Sequence, residues 1–230
     1  MDIAANIAAV RARIATAAAR AGRAAAEVRL IAVSKTKPPE LVRAAVAEGV
    51  RDIGESYVQE ALAKRAAVGG DVCWHLIGHL QRNKVARALE LFDVIHSIDS
   101  IALGEAVARQ AAARGMRVRV LVEVNVGGEA SKHGVAPDRL EELISRMRGL
   151  PGLALDGLMT IGHPVERADQ ARADFVRLRT LRDRVERATG AALPHLSMGM
   201  SADFEVAIEE GATFVRVGTA LFGARVSHGA

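Results

Sequence analysis

The run "LIAVSKTKPPE", Leu30–Glu40, carries an apolar, β-branched segment up to a lysine. In the strand it predicts, Leu30–Lys35, the residues Ile31, Val33 and Lys35 share a face, with the amine at the carboxyl end. An inward lysine there is partly desolvated, and desolvation favours the neutral amine that attacks carbonyls. The plain alternative is a strand-end lysine whose ammonium reaches solvent. Lys37 has the same parity but lies past the strand beside Pro38, where greater exposure and a secondary role are expected.

A second set of candidates lies near the C-terminus. In "SMGMSADFEVAIEEG", Ser201 is placed to cap a helix with free amides behind it. In "RVGTALFG", Gly218 lets backbone approach a ligand and Thr219 adds a hydroxyl. Amides at a helix start bind phosphate, although capping and a tight turn alone explain both loops. Phe214, Arg216 and Gly218 share a strand face, so Arg216 is expected to point inward just below these loops. A guanidinium donates hydrogen bonds and accepts none. A ligand with an aldehyde, a phosphate and a ring-nitrogen acceptor suits all three elements together, and pyridoxal 5′-phosphate is such a molecule.

Bringing these residues together requires a scaffold that gathers strand ends. Strand candidates fall at Leu30–Lys35, Arg51–Glu55, Val72–Leu80, Val94–Asp99, Val118–Val126, Leu153–Ile161, His195–Met200 and Phe214–Phe222. Ala-, Leu-, Arg- and Glu-rich helical segments separate them, several opening on proline and closing on glycine, as with Pro38 and Gly49. No linker rich in Pro, Gly or Ser divides residues 1–230, which predicts one domain. About eight strand–helix units after an extra N-terminal helix predict a (β/α)8 TIM barrel, whereas an open doubly wound sheet typically uses fewer strands. Such a barrel assembles its site at the carboxyl ends of the strands and holds phosphate after strands seven and eight. In "RVLVEVNVG" the alternation turns Val120, Val122, Val124 and Val126 toward the helices. Leu121, Glu123 and Asn125 then point into the barrel, where the polar pair closes a hydrogen-bond network or meets a ligand.

Half of the 230 residues are hydrophobic, enough for a sizeable core. No apolar run approaches the ~20 residues of a membrane span. The single cysteine, Cys73, excludes an internal disulfide framework and a multi-cysteine zinc site, and favours a reducing, cytoplasmic setting. The net charge is +4, yet arginines sit beside acids in "RLRTLRDRVERATG", and with one Trp and one Tyr stacking platforms are scarce. The charge therefore reads as solvated helix faces and not as a nucleic-acid surface. The first 22 residues have the Ala- and Arg-rich look of a transit peptide. Ile3, Ile7, Val10 and Ile14 nevertheless recur at helical spacing, and a helix packed on the domain is expected. His75 and His79 have the spacing of a zinc pair on a helix, but in a strand-like run with Gly78 between them the rings part, and no metal site is expected. Met198 and Met200 share parity and read as barrel filling or cofactor wall, while Cys73 and Trp74 read as packing.

Seven ordered blocks carry a resemblance: "AVSKTKP" (Ala32–Pro38), "GESYVQEAL" (Gly54–Leu62), "WHLIGHLQRNK" (Trp74–Lys84), "HSIDS" (His96–Ser100), "GLMTIG" (Gly157–Gly162), "LSMGMSADFEVAIEEGAT" (Leu196–Thr213) and "VRVGTALFG" (Val215–Gly223). Together they resemble the pyridoxal phosphate homeostasis protein family, relatives of the alanine racemase N-terminal barrel, over essentially the whole chain. The resemblance implies pyridoxal 5′-phosphate held as an aldimine by Lys35, phosphate contacts at Ser201, Gly218 and Thr219, and Arg216 beside the pyridine nitrogen. Ser56 and Met200 are counted with the cofactor-binding positions, although the family usually has asparagine where this chain has the shorter Ser56.

The same resemblance implies a monomer that stores the cofactor and delivers it to apo-enzymes, with no catalytic residue of its own. The alternative is a cofactor-dependent amino-acid racemase or decarboxylase. A racemase of the related fold uses a tyrosine from a further domain as second base, whereas here the barrel consumes the chain and the one tyrosine is Tyr57. Arg216 is also expected to keep the ring nitrogen unprotonated, which weakens the electron sink a carbanion needs. A Schiff-base aldolase without cofactor is a third possibility.

Overall fold

The computed structural model describes residues 2–129, 132–163 and 165–224, so the ends of the expected domain 1–230 lie outside the described residues. Helix α1 (Ile3–Arg20) comes first. Then follow β1 (Arg29–Val33), α2 (Pro39–Ala47), β2 (Asp52–Glu55), α3 (Val58–Val68), β3 (Cys73–Leu76), α4 (Val85–Leu91), β4 (Val94–Ile98) and α5 (Ile101–Ala112). The second half runs β5 (Val118–Glu123), α6 (Leu140–Met147), β6 (Leu153–Met159), α7 (Arg172–Thr189), β7 (His195–Ser197), α8 (Phe204–Glu209), β8 (Phe214–Val217) and α9 (Thr219–Phe222). Each strand pairs in parallel with the next, and β8 returns to β1 with Ile31 opposite Arg216, closing the expected eight-stranded barrel.

Strand parity decides what goes where. Ile31, Val94, Leu121, Met159 and Phe214 form a small apolar cluster of their own inside the barrel. Ala32, Val120, Val122, Val215 and Val217 belong to the larger core between sheet and helices. The expected division of β5 therefore holds for Val120, Leu121 and Val122. It fails at Asn125, because β5 ends at Glu123. Asn125 lies in the following loop, where its Nδ2 donates to Glu129 O at 2.8 Å and its Oδ1 accepts from Gly128 N at 2.9 Å.

Apart from β2, the strands stop short of their apolar runs. Ile77, Leu80, Val124, Val126 and Met198 remain buried beyond the last ladder residue. Apolar content reports burial, and at the mouth of a parallel barrel burial continues after pairing has ended. The run Phe214–Phe222 accordingly divides into β8 and the short α9.

The face of α1 expected to pack does so, with Ile3, Ile7, Val10 and Ile14 buried against neighbouring α2, α8 and α9. Asn6 Nδ2 donates to Leu221 O at 2.9 Å, so α1 also secures α9. Among the described residues, no helix is long and apolar enough to cross a membrane.

Candidate functional site

A cavity of about 380 Å³ opens at the carboxyl ends of the strands. Its walls include Val33 at the end of β1 and Lys35 after it, Ser56 after β2, Ile77 and Gly78 after β3, Met200–Ala202 after β7, Arg216 from β8, Gly218 after it and Thr219 at the start of α9. All seven cofactor-binding candidates from the sequence thus line one space.

Lys35 reaches that space differently from the expected way. β1 ends at Val33, and Lys35 occupies a turn, half-buried. The turn is held from below. Ser34 N still donates to Gly54 O at 3.0 Å, extending the ladder by one residue. Ser34 Oγ donates to Glu55 Oε1 at 2.5 Å. The buried Lys64 Nζ donates to Ser34 O and Glu55 Oε1, both at 2.6 Å, and to Glu60 Oε2 at 3.1 Å. Thr36 adopts a left-handed φ of 63°, an uncommon conformation for a β-branched residue, and its amide donates to Glu60 Oε2 at 2.8 Å. Burial pushes the Glu55 carboxyl above its ordinary range, although hydrogen bonds from Lys64 and Ser34 pull it down. "GESYVQEAL" contains Glu55 and Glu60, but nothing in the spacing announces that they brace a turn on another strand.

The chain has five lysines. Lys37, expected to be the more exposed of the motif pair, is half-buried like Lys35, because its Nζ donates to Gly223 O at 3.0 Å and Ala224 O at 2.8 Å. Lys64 belongs to the brace, and Lys132 pairs with Glu129 at 2.7 Å. Lys84 lines a neighbouring cavity with Tyr57 and His79. Of the five, Lys35 is the one on the walls of the strand-end cavity.

Ser201 does not cap α8. That helix starts at Phe204 behind Asp203, whose Oδ1 accepts from Met200 N at 2.6 Å and folds the turn. The Ser201 hydroxyl instead bridges the two loops, accepting from Gly218 N at 3.2 Å and Ala220 N at 3.3 Å. Among the described residues, no hydrogen bond leaves the amides of Ser201, Ala202 and Thr219. Such amides beside an open cavity form an anion cradle. Gly199, with φ 88°, makes the turn possible, since a Cβ there would meet Ala207 Cβ at 2.5 Å. This turn also breaks the parity expected of the methionines. Met198 is buried in the outer core, whereas Met200 is 39 % exposed on the cavity wall.

Arg216 points into the barrel, 4 % exposed. Its Nη1 donates to Ser197 Oγ and its Nη2 to Thr160 O, each at 2.8 Å. Burial brings its pKa down to about 10, opposed by Glu123 and Asp203, which leaves the guanidinium charged at neutral pH. Glu123 is buried nearby, its pKa pushed up to about 7 by burial and by Asp99, with Arg216 opposing.

Of the remaining candidates, Ser56 stays with this space and the others separate from it. Ser56 lines the cavity, and Gly78 packs on its backbone so closely that a Cβ would sit 2.3 Å from Ser56 O. Tyr57 is 57 % exposed in the neighbouring cavity. His75 is buried in the barrel interior, while His79 stands at the mouth, stacked on His133 with ring centroids 3.9 Å apart and with Asp99 at 3.3 Å. One ring nitrogen from each of these two histidines and a carboxylate oxygen of Asp99 lie within 4.8 Å of one another, so the cluster at the mouth pairs His79 with His133 and not with His75. Trp74 is core, and burial pushes the half-buried Cys73 thiol up to about 11, which makes it a poor nucleophile.

Residues 5–226 match the family described as "Alanine racemase, N-terminal domain". The pyridoxal phosphate homeostasis protein of Pseudomonas aeruginosa is 48 % identical over 224 residues, spanning 97 % of this chain and 96 % of that protein. Its counterpart in Aquifex aeolicus is 47 % identical over 214 residues, 93 % of this chain and 94 % of that one. PipY of Synechococcus elongatus, solved with PLP bound, superposes with a TM-score of 0.86 at 37 % identity, over 96 % of this chain and all of that one. The chain belongs to the alanine racemase N-terminal domain family and, within it, to the pyridoxal phosphate homeostasis proteins.

Proposed function

We propose that this protein binds pyridoxal 5′-phosphate in the strand-end cavity and serves as a carrier that stores the cofactor and delivers it to apo-enzymes. The observation that carries this reading is the meeting, on one cavity wall, of a primary amine, a cradle of amides without hydrogen-bond partners among the described residues, and a buried guanidinium. The residues present fit the group. Lys35 is the point of covalent attachment, and the amides of Ser201, Ala202 and Thr219 with the Thr219 hydroxyl hold the phosphate. Arg216 faces the ring nitrogen as a donor, while Ser56, Gly218 and Met200 complete the walls. When bound, the group supplies an aldehyde that an amine can capture and a ring able to accept electrons.

Two features support a carrier over a racemase or decarboxylase. Among the described residues lining the cavity, Lys35 and Arg216 are the only ionisable side chains, and Tyr57 lies outside it. Among the described residues, therefore, no second base on the cavity wall stands opposite Lys35 to take or return a proton. A charged Arg216 at the ring nitrogen also leaves that nitrogen unprotonated, which weakens carbanion stabilisation. The same reading takes the protein as a monomer in a reducing, cytoplasmic setting, on the family likeness and the single cysteine.

Absorbance titration of the apo-protein tests the site. Pyridoxal 5′-phosphate is expected to give a saturable new band, and pyridoxal, which lacks the phosphate, to bind at least about a hundredfold more weakly. Hydrogen bonds to a charged group contribute roughly 1.5–3 kcal/mol each, and several are lost together. Equal affinity for the two compounds would count decisively against the cradle.

A further inference from the structure

Five side chains from five strands form a continuous line through the barrel interior. Asp52 Oδ1 lies 2.8 Å from His75 Nε2, and His75 Nδ1 lies 2.9 Å from His96 Nε2. His96 Nδ1 lies 3.0 Å from Ser197 Oγ, which in turn accepts from Arg216 Nη1 at 2.8 Å. His75, His96 and Ser197 are 0 % exposed, so no solvent completes a missing hydrogen bond.

The chemistry of the two ends fixes the direction of every bond between them. Burial raises the Asp52 carboxyl, but hydrogen bonds from His75 and Arg29 outweigh it, and the group sits below its ordinary range as an anion that only accepts. Burial holds both imidazoles below their ordinary range and hence neutral, with one N–H each. His75 must then donate from Nε2, which leaves its Nδ1 to accept from His96 Nε2. His96 Nδ1 must accept from the Ser197 hydroxyl, whose oxygen is left to accept from Arg216.

Starting from Arg216 gives the same result. The guanidinium only donates, so Ser197 accepts from it. If His96 also donated to Ser197, the serine proton would be buried without a partner, and His75 Nε2 would face Asp52 as acceptor against acceptor. The two ends demand one polarity independently. It also suits the charges: each dipole turns its negative end toward Arg216 and its positive end toward Asp52, so neutral links connect a buried cation to a buried anion. Arg216 needs such a connection, because its own hydrogen-bond partners, Ser197 and Thr160 O, are uncharged.

We propose that Asp52, His75, His96 and Ser197 form a one-way hydrogen-bond chain that fixes both histidines as Nε2–H tautomers and holds Arg216 in place as the donor to the cofactor ring. These four are positioning residues for a contact several side chains away. The positioning role rests on the reading that Arg216 meets the ring nitrogen, whereas the tautomers do not depend on it.

Two measurements test the two halves. In apo-protein labelled with 15N-histidine, long-range 1H–15N spectra at pH 7 are expected to show His75 and His96 each with a protonated Nε2 and a bare Nδ1. An Nδ1–H tautomer or an imidazolium at either residue would overturn the chain while leaving the cofactor site intact. Ser197→Ala cuts the link to Arg216. It is expected to weaken binding of pyridoxal 5′-phosphate about tenfold, the size of one hydrogen bond to a charged group, and to shift the absorbance band of the loaded protein. Ser197→Thr, which keeps the hydroxyl, should restore both. The analogue with carbon in place of the ring nitrogen is expected to bind more weakly to the unaltered protein and to be indifferent to Ser197→Ala. An equal loss for both compounds would mark Ser197 as merely structural and overturn the positioning role. Equal affinity of the unaltered protein for the two would overturn the ring-nitrogen contact and that role with it.

Discussion

Glu123 shows what burial does to a single residue at this site. Its carboxyl has a pKa near 7 in the folded protein against an ordinary value of 4.5. The folded state therefore keeps a proton that the unfolded chain releases as pH rises above 4.5. Stability from this group is fully present below pH 4.5, falls as pH rises toward 7, and stays level above. At 1.36 kcal/mol per pKa unit the whole loss is about 3 kcal/mol. Glu123→Gln in the apo-protein should remove that slope, making the variant more stable than its parent at pH 8 and little different at pH 4.5, as read by urea denaturation at the two values. At Thr219 the expected change is smaller and of another kind. Thr219→Ala removes a hydroxyl but leaves the amides of the cradle, so cofactor affinity should fall by about tenfold, less than on loss of the whole phosphate, in the same absorbance titration.

At the scale of elements, the lysine turn depends on α3. Lys64 joins the end of β1 to the end of β2 through Ser34 O and Glu55, and Glu60 holds the left-handed Thr36 amide. Lys64→Met would leave Glu55 buried without its cation, a change that typically costs about 3–5 kcal/mol. We expect that loss in urea denaturation, together with weaker cofactor binding, because the turn carrying Lys35 loses its brace. Glu60→Gln should be milder, since an amide oxygen can still accept from Thr36 N. The sequence carried the barrel, its strand centres and the placing of Lys35 at the strand-end cavity, because these rest on local alternation and on a motif within a few residues. It overextended most strands, because apolar residues at a barrel mouth stay buried after pairing stops. It gave Ser201 a helix-capping role because a serine before "ADFEV" reads as a cap, whereas the hydroxyl answers to Gly218 and Ala220. The Lys64 brace and the His75–His96 line were invisible for one reason: their partners come from different elements, and only the folded chain brings them together.

At the scale of the molecule, the proposed carrier role predicts that the bound cofactor is not turned over on amino acids. Incubation of loaded protein with L- or D-alanine and other common amino acids should give no racemisation, decarboxylation or transamination above the rate of free pyridoxal 5′-phosphate. Loaded protein should instead restore activity to an apo-enzyme that requires this cofactor. Robust turnover abolished by Lys35→Ala would replace the carrier by an enzyme. Beneath the question of turnover lies the claim that one amine on one cavity wall captures the cofactor, and the small number of lysines makes this directly testable. Loaded protein is reduced with borohydride and digested, and the peptides are mapped by mass. The pyridoxyl group is expected on Lys35 and is expected to be lost in Lys35→Ala while the protein stays folded; an adduct confined to Lys37, Lys64, Lys84 or Lys132 would contradict attachment at Lys35.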